Sequence, residues 1–156
     1  MTEKTPRTRP TESELRRIQD LLTRSTLRAV EFHEVHARRL DQNQQREDNE
    51  DMVDISMVLQ SHAGSDTFGI RLVTNAYPYR GEIVVAVAAE YSIDEGEPAD
   101  EAIVRGFGNE VAVMTLLPYA REAVSTLSAR VFGKPVLLPT IERGQVGFDL
   151  TDYELS

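Results

Sequence analysis

One segment of the chain is apolar on both sides of a strand, and this limits the fold more than any other feature. From Glu82 to Ile93 the apolar residues occupy both alternating sets of positions: Ile83, Val85, Val87, Ala89, Tyr91 and Ile93 in one, and Val84, Ala86 and Ala88 in the other. Because successive side chains of a strand point to opposite faces, this pattern is typical of a strand that is covered twice. The segment therefore predicts a buried strand inside a sheet.

Three earlier segments alternate in the manner of half-buried strands. In Leu27–Leu40 the apolar set moves from even to odd positions near His33, which predicts a bulge or a break. After a polar linker, two segments each carry one apolar face: Val53, Ile55, Met57 and Leu59, and then Phe68, Ile70, Leu72, Thr74 and Ala76. Short turns join the last three segments, and short turns favour antiparallel neighbours. We therefore predict a four-stranded antiparallel meander.

Helical periodicity lies on either side of these strands. Thr11–Arg24 predicts a short amphipathic helix with an N-cap at its start, whereas Met1–Pro10 has almost nothing to bury and is predicted to be disordered. Glu97–Arg105 predicts a second short helix, with a break at Gly106 and Gly108.

A longer helix follows, for which Asn109 is the predicted cap. Its apolar seam recurs at steps of four and three: Val113, Leu117, Ala120, Val124, Leu127 and Val131. Pro118 predicts a kink or the true start of this helix, and Gly133 predicts its end. From Pro135 to Ile141 we expect an extended apolar loop packed across a surface.

The composition restricts the class of protein. Its 156 residues, 40% hydrophobic and 28% charged, suit one compact domain. The chain has no Cys, which excludes disulfides, thiolate metal sites and a Cys nucleophile. Its net charge of -9 opposes a phosphate backbone, so we expect no nucleic acid partner. The sequence shows no leader pattern and no apolar run of roughly 20 residues, so we expect a soluble cytoplasmic protein without a membrane partner.

No motif for catalysis or for cofactor binding is found. His33 and His36 are three residues apart on a predicted strand and cannot share a metal there, so with His62 they are predicted to be surface histidines. The acidic run Glu47–Asp54 lacks the glycine and the distal Glu of a calcium loop. Gly106–Glu110 lacks the third glycine and the preceding strand of a dinucleotide loop. We predict no enzyme, no metal and no cofactor.

The start of the long helix and the loop after it form a specific string. It has the pattern Leu-x-Pro-Tyr-x-Arg-Glu at Leu116–Glu122, an Arg eight residues later at Arg130, and an apolar loop bounded by Pro135 and Pro139. In these residues the chain resembles the SecB family of protein-export chaperones. The order of four strands, a short helix and a long helix is also similar to that family.

The resemblance implies an α+β fold, in which a four-stranded antiparallel sheet packs with one long helix and a crossover loop, here with a short extra N-terminal helix. Together with the patterns above, it divides the chain into a disordered N-terminus (1–10), an amphipathic helix (11–25), a SecB-like domain (26–150) and a tail (151–156). It implies an ATP-independent holdase that binds unfolded polypeptides or preproteins for export. It also implies a homotetramer, a dimer of dimers, and docking to the export ATPase SecA.

The same resemblance selects candidate site residues. Apolar residues of the strands, the helix and the loop are the candidates for contact with a client polypeptide: Val30, Phe32, Ile55, Met57, Leu59, Tyr119, Val136, Leu137 and Leu138. For each of them, ordinary core or a subunit interface is the alternative. The motif residues are expected to be structural: Leu116, Pro118, Tyr119, Arg121, Glu122, Arg130, Pro135 and Pro139.

Two other functions stay open at this point. The fourth strand reads Val84–Ala89 where typical family members carry acidic and Gln residues that dock SecA. A dedicated SecB-like chaperone of a toxin-antitoxin system, which stabilises an antitoxin, would tolerate that loss. A small-ligand-binding α+β domain is the remaining alternative, and saturable binding of a small molecule would distinguish it from a chaperone.

Overall fold

The computed structural model describes residues 9–41, 53–140 and 148–154. The elements are α1 (Glu12–Arg24), β1 (Ser25–Arg39), β2 (Asp54–Ala63), β3 (Thr67–Tyr77), β4 (Gly81–Ile93), α2 (Glu101–Phe107), a π-helical turn (Gly108–Ala112), α3 (Val113–Phe132) and β5 (Thr151–Asp152). The predicted α+β class is confirmed. The disorder predicted at Met1–Thr8, most of the Asp41–Asp51 linker and the end of the predicted loop at Ile141 lie outside the described residues.

The sheet has five strands in the order β1-β4-β3-β2-β5. Strands β2, β3 and β4 form the predicted antiparallel meander, but β1 pairs with β4 rather than with β2. The prediction of one four-stranded meander is therefore corrected. A strand that is apolar on both faces is typical of the interior of a sheet, and pairing with β1 on one edge and β3 on the other gives β4 that place. The short β5 adds parallel to β2 at Gln60 and Ser61.

The two faces of β4 are buried in different ways. On the inner face Val85, Val87 and Ala89 are fully buried and join the hydrophobic core with residues of all three helices. On the outer face Ala88 is 0% exposed, because Glu31 of β1 and Arg71 of β3 stand at the paired positions on either side. The longer side chains of the two neighbouring strands thus cover the small side chains on the outer face of β4, as the sequence predicted for a strand covered twice.

Strand β1 carries the predicted irregularity. Its register with β4 shifts between Phe32 and Glu34, where the alternation of the sequence slips, and again between Leu27 and Ala29, which the sequence did not reveal. Since a bulge restores the alternation, Val30, Phe32 and Val35 all lie opposite inner-face residues of β4.

Three aromatic rings fix α2 to the sheet. Phe68 of β3 and Tyr91 of β4 are stacked with centroids 4.9 Å apart, and Phe107 meets both rings edge-on at 5.1 and 5.0 Å. Asp100 caps α2 by accepting a hydrogen bond from the Ile103 backbone N–H at 2.9 Å. Burial raises the pKa of Tyr91, so this ring is held as the neutral phenol.

The predicted break between the two later helices is wrong. The backbone stays helical from α2 through the π-helical turn into α3. Gly106 lies in α2, and Gly108 is the first residue of the π-helical turn. A Cβ atom would lie 2.8 Å from Ile18 Cδ1 at Gly106, and 2.9 Å from Leu150 Cδ2 at Gly108. These glycines permit close packing of α1 and of the C-terminal segment rather than ending a helix.

Two further expectations for the long helix are also corrected. Asn109 is not a cap, because it lies in the π-helical turn and is 8% exposed. The helix does not start at Pro118, because α3 begins at Val113 and includes Pro118. The alternative, a kink at Pro118, stays a prediction. The predicted end is confirmed, since Gly133 is the C-cap with a left-handed φ of 76°.

Candidate functional site

The inner face of β1 carries large apolar side chains that the rest of the molecule leaves open. Leu27 is 42% exposed, and Phe32 and Val35 are each 45% exposed. Val30, between them, is half-buried and packs against the core. Tyr119 of α3 is 44% exposed beside this face. We call these five residues the β1–α3 surface.

An aromatic pair joins the strand and the helix of this surface. The rings of Phe32 and Tyr119 meet edge-on with centroids 6.5 Å apart. Because the two residues are 87 positions apart, a pattern in the sequence could place each on its element but could not predict the pair. Four residues on one strand and one on the helix thus place apolar side chains along the β1 edge of the sheet.

The crossover loop after α3 alternates between buried and exposed side chains. Val136 is 9% and Leu138 is 4% exposed, whereas Leu137 is 71% exposed. The buried Ser128 holds the loop against α3: its hydroxyl accepts from the Val136 backbone N–H at 2.6 Å and donates to the Val124 carbonyl at 2.7 Å. Ser128 was not predicted as a functional residue, because it lies outside the apolar seam of the predicted helix.

The candidates on β2 lie deeper than those on β1. Ile55 and Met57 are half-buried and pack against the core, and Leu59 is fully buried within it. Direct contact between a client and Leu59, Val136 or Leu138 is therefore not available in this conformation. The exposed candidates are Phe32, Tyr119 and Leu137, on the strand, the helix and the loop.

Three of the motif residues, Leu116, Arg121 and Glu122, make contacts within the helix or between the helix and the loop. Leu116 is fully buried. Arg121 donates a hydrogen bond to the Pro139 carbonyl at 3.4 Å, and Glu122 accepts one from the Thr126 hydroxyl at 2.7 Å. Pro118, Arg130 and Pro135 are exposed, as is Pro139. The Arg121–Pro139 hydrogen bond thus connects the two parts of the motif.

A polar cluster on the outer face was not predicted. Glu90 accepts a hydrogen bond from the Tyr153 hydroxyl at 3.0 Å, and its other carboxylate oxygen lies 2.9 Å from His62 Nε2. The Arg71 guanidinium stacks on the Tyr153 ring at 4.3 Å from the centroid and donates to the Gln60 side-chain carbonyl at 2.7 Å. The His62 side chain is only 12% exposed, so its prediction as a surface histidine is corrected.

Electrostatics keep the tyrosine of this cluster neutral. Burial raises the pKa of Tyr153, and the neighbouring Glu90 carboxylate raises it further, since a phenolate would repel the carboxylate. The phenol therefore acts as a hydrogen-bond donor to Glu90.

The described residues contain neither a metal-holding cluster nor a membrane-spanning helix. Within 9–41, 53–140 and 148–154, no group of three His, Cys, Asp or Glu side chains could hold a metal ion. An open depression of about 310 Å³ lies between α1, α2 and the C-terminal segment, where Glu14, Arg105 and Asp149 line it. In that same part of the chain, no helix is long and apolar enough to cross a membrane.

A sheet with helices on one face and exposed apolar side chains along its edge strand is typical of a protein that binds another polypeptide chain. The SecB-like chaperone SmegB of Mycolicibacterium smegmatis is 30% identical to this chain over 131 residues, which are 83% of this chain and 84% of SmegB. The chain belongs to the SecB-like chaperones.

A solved structure shows the same fold at lower sequence similarity. The Mycobacterium tuberculosis Rv1957 SecB-like chaperone, in complex with a ChAD peptide from the Rv1956 HigA1 antitoxin, superposes with a TM-score of 0.63 at 16% identity. The superposition covers 82% of this chain and 98% of Rv1957. No family model matches the sequence.

Proposed function

We propose that this protein is an ATP-independent holdase that binds non-native polypeptide on its β1–α3 surface. One observation carries the proposal: Phe32 and Val35 are each 45% exposed, although their partners on β4, Val87 and Val85, are fully buried. An exposed strip of this kind binds apolar segments with little regard to sequence, because burial contributes about 25 cal/mol per Å² before ordering costs.

We assign client contact to the exposed candidates and packing to the buried ones. Phe32, Tyr119 and Leu137 present aromatic and aliphatic surface to solvent. Val30 is half-buried and would form the floor beneath a bound segment, whereas Ile55 and Met57 lie on β2, across the sheet from β1, and pack against the core. Leu59, Val136 and Leu138 are buried within the core. We also propose that the protein is cytoplasmic, is not an enzyme and acts as a dimer of dimers.

The breadth of clients separates two forms of this function. A general export chaperone would bind many preproteins and dock SecA, whereas a toxin-antitoxin chaperone would stabilise one antitoxin. The second form is favoured by the outer face of β4, where Val84, Ala86 and Ala88 stand in place of docking acids. It is also favoured by the peptide of the HigA1 antitoxin bound to Rv1957, a protein of the same fold.

Light scattering of denatured proteins diluted into this protein, without nucleotide, tests the proposal. We expect dose-dependent suppression of aggregation by the wild type. Val35→Asp should abolish it, and Val58→Asp is the matched control, since Val58 is 42% exposed but lies on the outer face of β2. Suppression for several unrelated clients supports general chaperoning, and suppression for one antitoxin alone supports the dedicated form. Equal suppression by both variants would overturn the assignment of the surface.

A further inference from the structure

The C-terminal segment Phe148–Tyr153, here called the strap, passes around the β2 edge of the sheet. It begins on the inner face, where the buried Asn109 side chain holds Phe148 twice. Asn109 Oδ1 accepts from the Phe148 backbone N–H at 2.8 Å, and Asn109 Nδ2 donates to the Phe148 carbonyl at 2.9 Å. Both polar atoms of a buried amide are thereby satisfied by one residue of the strap.

The middle of the strap covers the hydrophobic core. Leu150 packs against Gly108 so closely that a Cβ atom there would lie 2.9 Å from Leu150 Cδ2 and 3.0 Å from Ile70 Cδ1. Ile70 is fully buried under this contact. The next two residues form β5 and pair with β2, and the Tyr153 backbone N–H donates to the Ser61 carbonyl at 3.1 Å.

The strap ends on the outer face with a side chain that fits a prepared space. Tyr153 is 6% exposed, its ring lies between Arg71 and His62, and its hydroxyl donates to Glu90. Gly69 makes the space: a Cβ atom at this position would overlap both the His62 ring and the Tyr153 hydroxyl. A glycine on β3 is thus required for the end of the strap to lie where it does.

We propose that the strap is an autoinhibitory latch, fastened by Tyr153, which covers apolar surface on the β2 side of the molecule and confines clients to the β1–α3 surface. The inhibitory role rests on the proposed function. The strap can open without unfolding the sheet, because β5 has only two residues, both exposed, and the other contacts of the strap lie at its two ends. The surface beneath it includes Ile70 and the backbone at Gly108, against which Leu150 of the strap packs.

Hydrogen exchange tests the latch independently of chaperone activity. Tyr153→Phe keeps the ring and removes only its hydrogen bond to Glu90. Gly69→Ala displaces the Tyr153 side chain from a position on β3, and every residue of the strap keeps its identity. We expect exchange at the Phe148 and Tyr153 amides to quicken roughly 10- to 100-fold in both variants, since a hydrogen bond to a charged group is lost. Tyr79→Phe, a tyrosine in the turn between β3 and β4, is the matched control and should change neither amide. Faster exchange at Tyr153 alone, with Phe148 unchanged, would overturn the latch.

Client capture tests the inhibitory role. Tyr153→Phe and Gly69→Ala should suppress aggregation at a severalfold lower concentration than the wild type. Faster exchange at both amides without a gain in client capture would overturn autoinhibition. A wild type that captures no client would instead overturn the proposed function, and the exchange result would then show whether the latch exists.

Discussion

Strands β1 and β4 are neighbours with the same apolar inner face, and yet only one of them is covered. Val35 of β1 and Val85 of β4 are register partners of the same residue type, but Val35 is 45% exposed and Val85 is 0% exposed. Helix α3 packs across β1, β3 and β4 and leaves the outermost part of β1 open. Alternation in a sequence therefore identifies the inner face of a sheet, but it does not show how far the helices extend over that face.

The largest expected effect comes from placing a charge at each of these two valines. Val85→Asp buries an unpaired carboxylate in the core and should destabilise the fold by more than about 4 kcal/mol, which leaves no cooperative thermal transition. Val35→Asp should cost about 1 kcal/mol, the range of strand propensity, and keep the circular dichroism of the wild type. A folded Val85→Asp variant would break the comparison.

Adjacent leucines of the crossover loop repeat the comparison on a smaller scale. Leu138 is 4% exposed and Leu137 is 71% exposed. Leu138→Ala should lower the free energy of unfolding by about 2–5 kcal/mol, because it leaves a cavity, whereas Leu137→Ala should change it by less than about 0.5 kcal/mol. Urea titration measures both values. If Leu137→Ala proved as destabilising as Leu138→Ala, the loop would be more deeply packed than this structure shows.

The aromatic pair of the β1–α3 surface should contribute modestly to stability. A double-mutant cycle with Phe32→Ala and Tyr119→Ala should give a coupling of about 0.5–1.5 kcal/mol in urea unfolding, as expected for an edge-on pair. The same variants should capture less client than the wild type. Additive effects on stability would indicate that strand and helix do not meet at these rings.

The smallest effect concerns the covered side, where α2 lies over β2. The Ile103 backbone N–H, and then Arg17, hold the pKa of Asp100 below its usual range. The charged form therefore stabilises the fold above the unfolded pKa of about 3.9, and this contribution is lost as pH falls through the lower folded value. Asp100→Asn keeps the cap and should cost less than about 1 kcal/mol at pH 7. The difference from the wild type should shrink as pH falls below about 3.9, and a difference independent of pH would contradict this cause.

Local patterns predicted most of the secondary structure for physical reasons that the structure makes plain. The double apolar face of β4, the bulge near His33 and the glycine that ends α3 all depend on residues next to one another in the chain. The prediction of a four-stranded meander was wrong because β1 pairs with β4. Local alternation does not specify which of two distant segments pair. The predicted break at Gly106 and Gly108 was wrong because those glycines allow close packing of Ile18 and Leu150, which are distant in the sequence.

The site was less predictable than the fold. Phe32 and Tyr119 were selected as candidates, but exposure separates them from Leu59, Val136 and Leu138, and exposure depends on where α3 and the loop end their cover. The Tyr153–Glu90–His62 cluster was not predicted because its members come from two strands and a C-terminal tail with no periodic signal. The run of Phe148, Leu150 and Tyr153 in an otherwise polar segment was the one available hint.

Photocrosslinking from the β1–α3 surface tests whether clients bind there. A photoreactive phenylalanine analogue would replace Phe32 in one variant and Val58, which is similarly exposed on the outer face, in another. Each variant would be irradiated with a denatured client at a concentration where the wild type prevents aggregation. The account predicts covalent adducts with the client from position 32 and few from position 58. Adducts from position 58 alone, or equally from both positions, would contradict it.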